Sequence, residues 1–372
     1  MATKIPLSRV YQSEAIDRRI LDVVHGGNYI LGPESKAFEV ELASYFGMKH
    51  VVLSSSWTAA VHLLHLAQTM AGQLKPGDEI LVPSLTAFPS IEPMIHVGAK
   101  PVHCDIDDTY TIDPEDAKKK ITKKTVGILP VHLYGRPANL DAIMKLAKDH
   151  GLWVIEDCAQ AHGAKWRGKR VGGYTEHSAF SFYPSKNLTV YGDGGAIATN
   201  DAAIADRVRM LRNHGRKDKY LHEKVGFNLR FNEIQAAVGR EQLKVLDELN
   251  SGRRRAAEWY RRELAGVKGV TLPPPDRAGE TESVYHMFVI RLESHDARES
   301  LARRLKEQGI ENGVHYPVPN HLQPAITEMY GAPPSLPRTE DYVKRILSLP
   351  MYPALTEADV KTVAAAIRQF VK

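Results

Sequence analysis

The chain has two cysteines in 372 residues, Cys104 and Cys158, and no CxxC pair. A disulfide framework and a thiolate metal site both lack their ligands. No apolar run approaches the roughly 18 residues of a membrane span, and the opening MATKIPLSRVYQSEAIDRR has no signal-peptide core, so a cytoplasmic protein with no membrane partner is expected. Charge of one sign is also missing. The net +5 is spread out, and the basic runs at 118–120 and 253–255 sit among acidic residues, which reads as solvated helix faces and excludes a nucleic-acid partner. There is no GxGxxG; Gly192, Gly194 and Gly195 read as a tight turn. His132, His162, His214 and His315 lack metal-ligand spacing, so no metal is expected, and Cys158 reads as a packed small residue.

What is present is an ordinary globular composition, 43% hydrophobic and 25% charged, long enough for one large core and a smaller second one. From about 50 to 200, short β-branched runs alternate with helical patterns, which predicts parallel strands joined by crossover helices. Strands are expected at 50–53, 79–82, 100–103, 126–130, 153–156 and 179–182, with helices at 58–71 and 139–150. A long helix from Ile234 past Leu249 to Arg255 reads as a bridge, placing a domain boundary near 250: residues 1–250 form a large α/β domain and 251–372 a small α+β domain. In the latter, 284–292 reads as a strand and 296–308 as a helix, after the break at Pro273–Pro275.

Three segments carry chemistry. In SAFSFYPSKNLTVYGDGGAIATND, Lys186 follows a strand and precedes a glycine turn into another apolar strand, where a lysine lies over the carboxyl end of a sheet. In WVIEDCAQAHG, an apolar strand runs into Glu156 and Asp157, then Gln160 and His162. An Asp there is either a core-edge cap or the partner a pyridine nitrogen needs to stay protonated, which would make a bound cofactor an electron sink. In VLSSSWTAAVHLLHLA, Ser56 or Thr58 starts a helix, either as a simple cap or as a phosphate cradle.

Read together with GGNYILGPESKAFEVELASYFG, VHLYGRPANLDAI, LRNHGR, VGFNLRFNEIQAAVGREQL, VHYPVP and LSLPMYP, these segments resemble the DegT/DnrJ/EryC1/StrS sugar aminotransferases, a branch of the fold type I pyridoxal-phosphate enzymes, over nearly the whole chain. The resemblance implies pyridoxal 5'-phosphate as cofactor, with Lys186 as its Schiff-base lysine, Asp157 on the pyridine nitrogen and Gln160 beside the phenolic oxygen. It implies Thr58 and Ser181 as phosphate ligands, Phe88 stacking on the ring, and Asn228 reaching the cofactor of a neighbouring subunit, hence a homodimer with shared active sites. His162, His315 and Tyr316 are expected to line the substrate pocket. Trp57 departs from the glycine common in the family and puts the backbone donors of the phosphate turn in question. It extends a pocket wall in the alternative reading. The implied reaction moves an amino group from an amino acid, L-glutamate by resemblance, to a nucleotide-linked keto sugar. A keto-cyclitol acceptor, a sugar dehydratase, an enzyme acting only on amino acids and a non-catalytic regulatory relative are the rivals. Dehydratases of the family replace the lysine by histidine, and a regulatory relative would be expected to lose Lys186 or Asp157; this chain retains both.

Overall fold

A computed structural model describes residues 4–370. Its centre is a seven-stranded sheet in the order His50–Ser54, Gly195–Thr199, His177–Ser181, Trp153–Asp157, Thr125–Ile128, Glu79–Pro83, Lys100–Cys104. Six of these strands run parallel. Gly195–Thr199 is antiparallel to both of its neighbours, so the sheet is mostly parallel and flanked by helices, as the sequence leads one to expect. Because that strand runs the other way, its first residues lie at the edge where the parallel strands end.

Strand alternation divides the core between the two faces of the sheet. Val52, Ile155 and Ile197 pack with the helices Trp57–Met70 and Ala202–Leu211 on one side. Val51, Leu53, Phe180 and Ala196 pack on the other, with Phe38 and Leu42 of the helix Pro33–Phe46 and Leu246 of the helix Glu233–Leu264. Burial on both faces is what makes these strands continuous apolar runs.

The helix Glu233–Leu264 is 32 residues long and contains residue 250. Leu246 belongs to the sheet-side core, whereas Ala256, Ala257 and Tyr260 belong to a second core around the strands Phe288–Leu292 and Ile346–Leu349 and the helices His295–Glu307 and Glu357–Phe370. Ile5, from the other end of the chain, also packs in that second core and pairs with Ile310. Strand and helix limits elsewhere fall within a few residues of the expected ones; Val284–Met287 precede the strand that begins at Phe288. Among the described residues no helix is long and apolar enough to cross a membrane.

Candidate active site

A cavity of 290 Å³ opens at the carboxyl edge of the sheet, where an open α/β sheet places ligands. Its wall includes Lys186, Asp157, Gln160, Ser181, Thr58 and Trp57 from among the expected residues, and Thr86, Ser90, Tyr183 and Asp193, which were not expected. Lys186 stands on the loop after the strand His177–Ser181, in a turn closed by its N–H on the Tyr183 carbonyl at 2.8 Å. Burial pulls its ammonium down to about 8, and the Asp157 carboxylate opposes that shift.

Asp157 ends the strand Trp153–Asp157 and is buried. Its Oδ1 accepts the Ala159 N–H at 3.0 Å and its Oδ2 the Ser90 hydroxyl at 3.0 Å. Burial pushes its carboxyl up, against those two donors and the nearby Lys186. Both partners of a desolvated acid–amine pair are therefore moved toward neutrality, the usual mark of groups with a task in a cleft.

At another part of the wall, Ser56 caps the helix Trp57–Met70 by accepting the Ala59 N–H at 3.0 Å. Among the described residues the N–H groups of Trp57 and Thr58 have no acceptor. They supply free donors at the positive end of a helix dipole, with the Thr58 and Ser181 hydroxyls in the same cavity. Trp57 occupies the first helical position without a left-handed φ, so the backbone donors survive the loss of the family's glycine. The close approach is made from the opposite side. A Cβ on Gly195 would stand 2.4 Å from the Trp57 nitrogen, so glycine there lets the helix start seat on the neighbouring strand.

The other expected residues are placed as follows. Gln160 is held by the Tyr134 N–H on its Oε1 at 2.7 Å and donates from Nε2 to the Tyr316 hydroxyl at 3.2 Å, so Tyr316 reaches the site through Gln160 and is not on the cavity wall. His315 is outside the wall too, with Nδ1 on Ser348 Oγ at 2.9 Å. His162 does not line the cavity. It is fully buried against Phe180 and Phe182, both ring nitrogens lack side-chain hydrogen-bond partners among the described residues, and burial first, then Lys186, holds it down at about 3. Phe88 is also off the wall: it begins a 3₁₀ turn, in which successive side chains step by a third of a revolution, so Phe88 packs in an apolar cluster while Ser90 meets Asp157. Asn228 is exposed and outside the cavity of its own chain.

Residues 11–368 match the DegT/DnrJ/EryC1/StrS aminotransferase family. The chain belongs to that family. It is 44% identical over 357 residues to the dTDP-3-amino-3,4,6-trideoxy-alpha-D-glucose transaminase of Streptomyces venezuelae, covering 95% of this chain and 91% of the relative. It is 40% identical to the UDP-N-acetyl-3-dehydro-alpha-D-glucosamine 3-aminotransferase of Acidithiobacillus ferrooxidans, with 93% and 91% covered. Among solved structures, DesV of S. venezuelae in complex with a ketimine intermediate superposes with a TM-score of 0.92 at 42% identity, covering 99% of each chain. The protein is thus an aminotransferase, and its family implies pyridoxal 5'-phosphate as the cofactor.

Proposed function

We propose that this protein transfers an amino group from an amino acid, by resemblance L-glutamate, to the 3-keto carbon of a nucleotide-linked sugar, with pyridoxal 5'-phosphate as cofactor. The observation that carries the reading is one cavity holding a lysine of lowered basicity, a buried aspartate and a set of helix-end N–H donors. These residues fit the group: Thr58, Ser181 and the free N–H groups suit a phosphate, Asp157 suits a ring nitrogen, and Lys186 suits an aldehyde. The bound cofactor supplies an electron-withdrawing ring that takes up the electrons released when the substrate's C–H bond breaks. With its pKa near 8, Lys186 is partly neutral at neutral pH, so Nζ can attack a carbonyl, take a proton from a substrate carbon and return it elsewhere. Asp157 lies on the cavity wall, where its carboxylate would hold the proton of a bound ring nitrogen. The Gln160 amide, fixed between Tyr134 and Tyr316, presents a rigid polar edge to the cavity. Position 3 is supported by the relatives whose names carry a 3-amino or 3-aminotransferase product or reaction, on both dTDP and UDP carriers.

Borohydride treatment of the cofactor-loaded enzyme should label Lys186, and the amine-loaded enzyme should turn over a 3-keto nucleotide sugar faster than its 4-keto isomer or a keto-cyclitol. A label on another lysine sinks the site. Preference for the cyclitol sinks the substrate. The two buried unpaired thiols, Cys104 and Cys158, support a cytoplasmic setting, which cell fractionation checks.

We also propose that the enzyme works as a homodimer whose sites are shared. Asn228 lies in a stretch that leaves Tyr220 81% and Val225 95% exposed beside Leu221 and Phe227, an apolar surface that a second copy would cover. Co-expressed Lys186→Ala and Asn228→Asp chains should regain activity, about a quarter of wild type for random pairing with independent sites. Verified mixed dimers as inactive as their parents would refute the sharing.

A further inference from the structure

Asn187 follows the cavity lysine directly, and both ends of its amide are engaged. Nδ2 donates to Asn250 Oδ1 at 2.9 Å and to the Val284 carbonyl at 3.1 Å. Those two acceptors fix the nitrogen end, so Oδ1 faces the remaining neighbour, His286 Nδ1, at 3.1 Å. An amide oxygen only accepts, and His286 must therefore carry its proton on Nδ1. A second proton on Nε2 is disfavoured: burial first, then the cations Lys186 and Arg253, hold this imidazole well below its usual range. The ring is neutral, of one tautomer, with a buried Nε2 that has no partner among the described residues.

The connections continue in both directions. Asn250 Nδ2 donates to the His162 carbonyl at 2.8 Å, and Arg253 Nη1, nearly one turn further along the same helix, donates to the carbonyls of Tyr285, His286 and Met351 at 3.1–3.2 Å. Three pieces of chain thus meet on Asn187: the lysine loop, the helix Glu233–Leu264, and the segment leading into the strand Phe288–Leu292. The lysine side chain has four rotatable bonds, so the placement of Nζ depends on a fixed root. A group that takes a proton at one carbon and delivers it to another is sensitive to shifts on the order of an ångström.

We propose that Asn187 and His286 form a positioning pair for Lys186. The Nδ1–H of His286 orients the Asn187 amide, the amide pins the main chain from which Lys186 springs, and the C-terminal core thereby sets where the amine stands in the cavity. This rests on the reading of Lys186 as the cofactor lysine. It differs from simple satisfaction of buried polar groups, because it makes the proton on Nδ1 matter to turnover and not to stability alone.

The test uses the cofactor-loaded enzyme. His286→Phe keeps a ring but removes the donor, and kcat should fall at least about tenfold while the KM for the amino donor stays within about twofold. The pH midpoint of the visible band of lysine-bound cofactor should move by at least about half a unit. His286→Gln, which restores an N–H donor, should recover part of kcat and of the midpoint. Asn187→Ala should resemble His286→Phe, and the double variant should be no worse than the poorer single one, because the pair acts as one unit. Should His286→Phe fail to fold, His286→Leu, which also removes the donor, takes its place in the same cycle with Asn187→Ala. Unchanged kcat and midpoint in folded variants, or fully additive losses, overturn the pairing. If borohydride labels a lysine other than Lys186 in the wild type, the reading beneath it fails; a label on Lys186 with silent variants removes only this inference.

Discussion

Strand alternation sends the side chain of Glu156 to one face of the sheet and that of Asp157 to the other. Both carboxylates are buried, and their surroundings differ in donor count. Glu156 accepts the N–H groups of Gly172, Tyr174 and Thr175 at 2.8, 2.9 and 3.1 Å and the His132 Nε2–H at 3.2 Å, while the Thr175 hydroxyl donates to the His177 carbonyl at 2.6 Å. Since His132 Nδ1 accepts the Ala138 N–H at 3.0 Å, the proton is on Nε2 and points at Glu156. Burial alone would raise the Glu156 carboxyl, yet His132 and the backbone donors hold it below its usual value. Asp157 has two donors and goes the other way.

The difference separates a joint from a working group. Four donors make Glu156 a charged knot that ties the strand to the turn Gly172–Thr175, with no lone pair left over. Cys158 Sγ lies within 4.8 Å of the ligand atoms of His132 and Glu156, a trio that resembles a metal site by proximity. Its hydrogen bonds already occupy both imidazole nitrogens and both carboxylate oxygens, and burial pushes the Cys158 thiol well up. Asp157, with fewer donors and an open cavity beside it, keeps the capacity to hold a proton for a bound ring.

The largest effect expected from breaking this contrast is on stability. Glu156→Ala leaves three N–H groups and His132 without an acceptor in a dry place, and should cost roughly 3–5 kcal/mol in chemical denaturation. Turnover per folded molecule should stay within about twofold of wild type. A normal unfolding midpoint would show that the knot is not structural.

Asp157→Asn should do the reverse. The amide keeps the size and can still meet Ser90 and Ala159, so stability should change by no more than about 1 kcal/mol. It cannot hold a proton on a ring nitrogen, and kcat should drop on the order of a hundredfold or more, the usual scale of a lost proton-holding group. Near-normal turnover in a folded, cofactor-loaded variant would remove Asp157 from the chemistry.

The sequence made Asp157 and Lys186 legible because each follows an apolar strand at a point where the pattern stops, and strand ends are where such sheets bind ligands. It did not reveal Ser90 as the partner of Asp157, since the two are 67 residues apart and nothing local joins them. The segment PSLTAFPS drew attention through Phe88, but a 3₁₀ turn decides which residue faces the cavity, and the serine wins. His162 looked like a pocket residue from its closeness to Asp157 in sequence; its ring lies instead between Phe180 and Phe182, on the core side. Rhythm gave the strands of 50–200, whereas the antiparallel direction of Gly195–Thr199 has no local signature, because the 13 residues between Ser181 and Gly195 are far longer than a tight hairpin. Nor could the packing of Ile5 with the C-terminal core be read from a pattern confined to neighbours in sequence.

The smallest of the three effects concerns how far Lys186 shares the burial of Asp157, and it is seen in the cofactor-free protein. Its amine has a pKa near 8 in the fold and near 10.5 as an unperturbed side chain. Below 8 the folded and unfolded chains both carry the proton, so the fold bears the whole cost of a desolvated ammonium. Between 8 and 10.5 the unfolded chain binds more protons than the folded one, and stability from this group rises with pH until the cost is gone. Replacing the lysine by the uncharged, similarly long methionine removes that cost at every pH. Lys186→Met should thus be more stable than wild type at pH 7 by about 2 kcal/mol, a figure reduced for partial solvent contact, with the gap closing toward pH 10.5. Denaturant titrations of both proteins at pH 7, 8.5 and 10 measure it. A gap that stays constant across the series would mean that Lys186 does not titrate differently on folding. The open edge of the cavity would then hydrate it, and Asp157 alone would carry the desolvation.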